Sequence, residues 1–409
     1  RQLKVRTEKD FPADWATTEE NLAAAYVDRL NGKRMENIEM AIMHYLHALN
    51  VYTPRNFPSR CRGTAYSLGS ICLEVKRFYE AEKAYSMGLK AAEELYRSSI
   101  FQASREVELA ETRDLYRRAG YALAKSNKLK EAAVALERGR ARGLGDALAR
   151  DRANLERVRL KDPEAHQLYS QAVKELQNLE SQERAGASAE GKAAPQLRDL
   201  MMQARARLDE ALDRIRHIPD YESFLKESGW EEIAAAVVED QPLIYIAAAP
   251  GDGVAMIVYR SADDASVEAV NLDGFSEECL QEHLDAWFEA HGDWQEARQK
   301  LIKDKIEAEE YLQAQGRWFG AIESVTGSLW REVAEPVFAA LQSLKADQVF
   351  LITTGLLALL PLHAAWHETG GRREYLMDLL PVSYIPSARA LAHARRTASA
   401  APAAKRMAS

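Results

Sequence analysis

The chain has 409 residues, a formal net charge of −8 and three cysteines. That length exceeds what one core needs and points to several domains; the acidic balance excludes a general attraction to nucleic acid or anionic membranes. Cys61, Cys72 and Cys279 are too few and too scattered for a disulfide framework or a CxxC metal site, so a reducing cytoplasm is the expected setting.

The chain opens on Arg1 with no signal-peptide pattern and is read as an internal segment of a longer protein. Its first third repeats. Leu3-Lys4-Val5-Arg6-Thr7 through Phe11-Pro12 recurs as Leu49-Asn50-Val51-Tyr52-Thr53 through Phe57-Pro58. Helical periodicity follows each Phe-Pro, with Leu22, Ala23 and Tyr26 in one unit and Leu68, Gly69 and Cys72 in the next. Gly69 is followed by Ala81, Tyr85 and Gly88, and Gly120 by Ala132, Leu136 and Gly139 at the same intervals. The first unit has Ala23, then Ala41, Tyr45 and Ala48, with a polar insertion at Asn31-Gly32-Lys33-Arg34. Ala and Gly let antiparallel helices approach, while Tyr45, Tyr85 or Leu136 fills the gap between hairpins.

This pattern resembles the tetratricopeptide repeat, and three units agreeing in spacing favour it over a generic helix bundle. The resemblance implies a concave face formed by the first helix of each hairpin, and places Glu20, Asp28, Tyr66, Glu74, Arg117, Tyr121 and Lys125 toward it. Those residues are the candidate grip on an extended peptide or partner helix; the competing reading is that they are ordinary solvated polar residues.

A charged helix follows, with an apolar stripe of Leu136, Leu144, Leu148, Leu155 and Val158. Its arginines between Arg138 and Arg159 alternate with Glu137, Asp146, Asp151 and Glu156, which suits internal ion pairs better than phosphate contacts. An Ala, Gly and Ser-rich stretch from Glu183 to Pro195 predicts the tip of a long helical hairpin. The return helix runs from about Gln196 to Arg216, where Leu197, Leu200, Met201, Ala204, Leu208 and Leu212 recur at helical spacing.

After Pro242 the pattern changes class. Leu243 to Ala247, a turn at Pro250-Gly251-Asp252-Gly253, and Val254 to Tyr259 predict a β-hairpin, with a third strand over Ser266 to Asn271. Helices are expected over Ser276 to Ala290, Trp294 to Tyr311 and Ser328 to Leu344. Gln348 to Ile352 then reads as a strand covered on both sides. The apolar run from Val349 to Trp366 is interrupted by Gly355, Pro361 and His363, so it reads as buried strand and turn. A membrane span needs about 20 apolar residues.

The stretch Thr353-Thr354-Gly355-Leu356-Leu357-Ala358-Leu359-Leu360-Pro361-Leu362-His363-Ala364-Ala365, with Tyr375-Leu376 and Val382-Ser383-Tyr384-Ile385-Pro386-Ser387-Ala388, resembles the CHAT family. These are caspase-like peptidase domains commonly found after tetratricopeptide arrays. The resemblance is strong at the repeats and from Phe350 to Ser387, and weak between Leu160 and Glu239. It implies an α+α/β chain in four parts: tetratricopeptide repeats over 1–145, a helical hairpin linker over 146–239, the amino-terminal part of a CHAT domain over 240–396, and a disordered tail over 397–409.

In that family a Cys nucleophile and a His base lie on strands after the Pro-Ser-Ala motif. No cysteine follows Cys279 here, so the nucleophile has no matching position, and His363, His367 and His393 are not assigned the base. The chain is therefore expected to be catalytically silent, and to contribute the partner-binding and regulatory portion of a cysteine endopeptidase. The alternative is a non-catalytic interaction scaffold; a nucleic-acid adaptor using Arg138 to Arg159 is weaker still. No cofactor or metal is expected. Cys279 and His283 are one helical turn apart, but an amphipathic helix explains both and no further ligand is apparent around them.

Overall fold

The structure, a computed structural model, describes residues 7–97, 102–149, 158–184, 194–219, 221, 229–261, 264–303 and 307–400. Leu3 to Arg6 of the sequence repeat, Leu155 of the apolar stripe, the loop tip over 185–193 and the tail after Ala400 lie outside the described residues. The chain is helical in its amino-terminal part and ends in a mixed sheet with helices. It divides into two units, residues 1–126 with 142–227, and residues 127–141 with 228–409. Residues 142–227 group with the first helices, and residues 127–141 group with the sheet.

The first unit begins with two hairpins, α1 (Pro12–Val27) with α2 (Arg34–Val51) and α3 (Pro58–Glu74) with α4 (Phe78–Arg97). The sequence repeat is also a backbone repeat. Phe11 caps α1 at φ −138°, ψ 63°, and Phe57 caps α3 at φ −135°, ψ 64°. A Pro follows each, suited to the first helical turn because its fixed φ is helical and its missing N–H has no acceptor there. Between α1 and α2, the Asn37 amide donates to the carbonyls of Arg29 (3.2 Å) and Asn31 (3.0 Å) and so closes the insertion loop.

The small residues sit where close approach demands them. A Cβ on Gly69 would lie 2.6 Å from Cε1 of Tyr85, whose ring is fully buried. One on Gly88 would lie 3.3 Å from Leu115 of α5 (Gln102–Lys125). Helices α7 (Pro163–Arg184) and α8 (Ala194–Arg216) form the predicted long hairpin. Its core holds Tyr169, Leu176, Met201, Leu208, Leu212 and Ile215, and Tyr96 of α4 packs into it. Arg205 of α8 also pairs with Glu94 of α4 at 2.7 Å, the arginine almost wholly buried.

The second unit contains the first part of α6 (Leu129–Ala149), α9 (Trp230–Ala236) and a five-stranded sheet. Strands β1 (Leu243–Ala248), β2 (Gly253–Ser261) and β3 (Asp264–Leu272) form an antiparallel meander; β4 (Val349–Thr353) and β7 (Val382–Tyr384) add in parallel, giving the order β3-β2-β1-β4-β7. A small ribbon, β5 (Trp366–Thr369) with β6 (Arg372–Tyr375), precedes the short α13 (Leu376–Leu379). Strands β1 and β4 are buried along their whole length, as strands covered on both faces must be. Ile244, Ile246 and Leu351 share a core with α10 (Glu277–Ile302), α11 (Ala308–Leu329) and α12 (Glu335–Ser343). On the alternate face Tyr245 meets Glu137 of α6, and Phe350 meets Arg395 of α14 (Ala388–Ala400).

Three helix boundaries depart from the sequence reading. Helix α10 runs unbroken through Gly292, where a break was expected. An exposed helical Gly costs only about 1 kcal/mol against Ala, and ring contacts of Trp287 (4.8 Å) and His291 (4.9 Å) with Trp318 of α11 hold that stretch against its neighbour. The helix expected over Ser328 to Leu344 is interrupted by a π turn, Trp330–Ala334, in which the Glu335 N–H donates to the carbonyl of Trp330. Pro336 lacks the N–H that would otherwise reach the Glu332 carbonyl. Helix α14 continues to Ala400, past the position where the tail was expected to begin.

Candidate functional site

Helices α1, α3 and α5 are tied to one another by side-chain hydrogen bonds. Thr64 of α3 donates to Glu20 of α1 at 2.7 Å, and the Tyr66 hydroxyl of α3 donates to Asp114 of α5. Arg117 and Arg118 also pair with Asp114, and the Arg118 guanidinium lies 5.5 Å from the Tyr66 ring centre. Burial works against the Asp114 charge, but the two arginines and the Tyr66 hydroxyl outweigh it and hold the carboxyl below its ordinary range.

Of the residues expected on the partner-facing surface, Glu20, Tyr66 and Arg117 belong to these ties. Glu74 pairs with Arg34 of α2 at 2.9 Å. Asp28, at the end of α1, is exposed. Tyr121 faces inward, 2 % exposed against Phe78, because α4 begins over its ring. The Lys125 ammonium sits 5.3 Å from the Tyr121 ring centre.

Sequence reasoning passed over a buried polar group in the first hairpin. Glu19 accepts from Nδ1 of His44 at 2.6 Å and lies 3.3 Å from Nδ1 of His47, while Tyr26 stacks on His44 and Trp15 on His47. The positions related to these three by the repeat intervals in the second hairpin are Ala65, Ala84 and Met87.

In the second unit the Pro386-Ser387-Ala388 motif is a helix start whose first three helical N–H groups find side-chain acceptors. The N–H groups of Ala388 and Arg389 donate to Oε2 and Oε1 of Glu137 at 3.0 and 3.1 Å. The Ala390 N–H donates to the Ser387 hydroxyl at 3.1 Å, and the Leu391 N–H to the Ser387 carbonyl at 3.2 Å. The first N–H groups of a helix have no partner inside it; here the α6 carboxylate and the Ser387 hydroxyl supply the acceptors for Ala388, Arg389 and Ala390, and the Leu391 bond begins the helical ladder. Oε2 of Glu137 also accepts the Tyr245 hydroxyl at 2.9 Å. Glu137 is 1 % exposed, and burial raises its pKa despite three donors that favour the charge. Arg389 then forks onto Glu232 of α9 through two 3.0 Å bonds.

The fold places this helix start, β4 and β7 together in the C-terminal part of the chain. Residues 323–408 match the CHAT domain family. The match begins in α11, runs through the strand and turn stretch singled out in the sequence, and takes in all of α14. A comparison with curated proteins returned no match.

The cysteine and histidine chemistry of this unit needs a correction. Cys279 and His283 were expected to have no further ligand around them, yet Glu332 joins them from the π turn. Its Oε2 lies 3.4 Å from the Cys279 Sγ and 2.7 Å from the His283 Nε2, and Sγ to Nε2 is 3.4 Å. Most of α10 and all of α11 lie between the pair and Glu332 in the sequence. As a nucleophile Cys279 is poorly placed, because burial and the Glu332 carboxylate push its thiol up to about 12.

His363 is a turn residue. Its N–H and its Nδ1 both meet the Tyr384 hydroxyl, at 3.0 and 3.1 Å. His367 stacks on Trp330 with ring centres 4.1 Å apart, and His393 lies in α14. Among the described residues, no helix is long and apolar enough to cross a membrane.

Proposed function

We infer that this chain is the partner-binding and regulatory portion of a CHAT-type cysteine peptidase, with a tetratricopeptide-like array as the receptor for a protein or peptide. The observation that carries the reading is the family match over 323–408 in a chain that also holds stacked hairpins of repeating geometry. The Glu20–Thr64 and Tyr66–Asp114 ties support a tetratricopeptide arrangement, since in a solenoid each repeat touches only its neighbours and the first helices line one surface.

Helix α6 is the connecting part in this reading. Residues 129–141 group with the sheet, and 142–149 group with the helical unit. Cys61, Cys72 and Cys279 are poorly suited to act as the nucleophile, since burial, joined by Glu332 at Cys279, raises each thiol to about 12.

The competing reading is a scaffold whose α/β part performs no hydrolysis, favoured by the same raised thiols. The test is expression of the complete open reading frame and cleavage of a peptide library, with every cysteine replaced by Ala in turn. Cleavage that survives Cys279→Ala and disappears with one other cysteine supports the peptidase. Inactivity of the complete protein, with lysate added as a source of activator, supports the scaffold.

A further inference from the structure

Cys279 and His283 are four residues apart on α10, which sets both side chains on one face of the helix. Glu332 is brought to that face by the π turn between α11 and α12. An extra residue per turn rotates the side chains that follow, and such turns recur at functional positions. Here Trp330, Val333 and Ala334 stay in the core while Glu332 meets α10. The result is a thiol, an imidazole and a carboxylate converging on one point from two separate elements.

The separations fit a metal ion. Tetrahedral zinc, with bonds of about 2.3 Å to sulfur and about 2.0–2.2 Å to nitrogen or oxygen, sets its ligand atoms about 3.3–3.6 Å apart. Two of the three separations are already 3.4 Å. The third, 2.7 Å between Nε2 and Oε2, is a hydrogen bond that opens by about 0.7 Å when an ion takes its place. The ligand types choose the metal class: a sulfur and an imidazole disfavour calcium and magnesium and suit a borderline ion such as Zn²⁺. The His283 and Glu332 side chains keep 15 % and 20 % of their exposure, so the cluster is enclosed by its helices yet open to one solvent ligand.

We propose that Cys279, His283 and Glu332 bind a zinc-class divalent ion, with water in the fourth position. On binding, the thiol proton passes to solvent. Sγ, Nε2 and Oε2 each donate a lone pair to the ion, with no change of oxidation state. The ion ties the first two turns of α10 to the π turn, which binds two elements of the same core more firmly. Three protein ligands and one exchangeable site are the arrangement of a metal that meets small ligands, unlike a closed four-ligand structural site. The assignment is independent of the peptidase reading, because its test measures metal and not cleavage.

The full chain is stripped with chelator, dialysed against Co²⁺ alone or Zn²⁺ alone, and assayed for bound metal by mass spectrometry and for Co²⁺ absorption. One equivalent is expected at this site, with a sulfur-to-cobalt charge-transfer band. Cys279→Ser, nearly isosteric, abolishes that band. His283→Ala and Glu332→Gln each weaken Zn²⁺ binding on the order of 100-fold or more, since even second-shell losses reach 10–100-fold. Circular dichroism of each metal-free variant checks that it has folded. His44→Ala with His47→Ala leaves the band in place, which separates this cluster from the Glu19 group. Absence of retained metal, Co²⁺ bound without the sulfur band, or a band that survives Cys279→Ser overturns the assignment.

Discussion

Replacing Glu137 tests whether a buried carboxylate organises the start of α14. It accepts from the Tyr245 hydroxyl and from the N–H groups of Ala388 and Arg389, all between 2.9 and 3.1 Å. Glu137→Gln keeps one oxygen, able to serve Tyr245 and Ala388, but turns an NH₂ toward the Arg389 N–H. One buried donor then lacks an acceptor, a loss of about 1–3 kcal/mol, offset in part because a neutral amide is easier to bury than a charge. Glu137→Ala strips all three donors and is expected to cost on the order of 3–5 kcal/mol.

Hydrogen exchange read by mass spectrometry over 385–400 resolves the effect. In the Ala variant the amides of 388 and 389 lose protection by at least about 10-fold, since 1.4 kcal/mol corresponds to a factor of 10. The sign with pH also follows. Burial raises the folded-state pKa of Glu137 above its ordinary 4.5, so protonation favours the folded state. Relative to Glu137→Gln, the wild-type chain gains stability as pH falls through the raised value toward 4.5, and loses that gain as pH rises back through it. Unchanged protection at 388 and 389 in Glu137→Ala would refute the capping role.

Gly69→Ala places a Cβ 2.6 Å from a fully buried ring. It is expected to destabilise the helical unit by about 1–3 kcal/mol in urea denaturation, despite the better helix propensity of Ala; adding Tyr85→Leu, which removes the ring atoms that the new Cβ meets, recovers part of the loss. In the first hairpin, Glu19→Ala strands a buried His44 and costs about 1–3 kcal/mol. The triple change Glu19→Ala, His44→Ala, His47→Met adopts the residues of the second hairpin and returns exchange protection over 12–51 toward wild type. Thiol labelling of the folded metal-free chain at pH 8 is expected to run about 10³-fold slower than for free cysteine, since all three thiols are raised to about 12. Glu332→Gln speeds labelling at Cys279 alone.

The sequence by itself determined what local chemistry decides. Phe11-Pro12 and Phe57-Pro58 start helices with the same cap geometry because Pro suits a first turn wherever it stands. Gly69 and Tyr85 could be paired by spacing alone, since a hairpin brings fixed intervals face to face. The Pro250 to Gly253 turn announced β1 and β2, and the unbroken apolar run of β4 announced a strand buried on both faces. Tertiary structure decided the rest. Glu137 lies 251 residues from Ala388 and Glu332 lies 53 from Cys279, and no periodicity links residues whose meeting depends on how separate helices pack. The π turn that aims Glu332 arises where Pro336 withholds one N–H, and the sequence marks that Pro without saying which way the side chains before it will rotate. Tyr121 has the spacing of an outward residue and is buried, because a neighbouring helix covers it. Spacing along one helix describes only that helix, whereas partners, burial and charge are set by what packs against it.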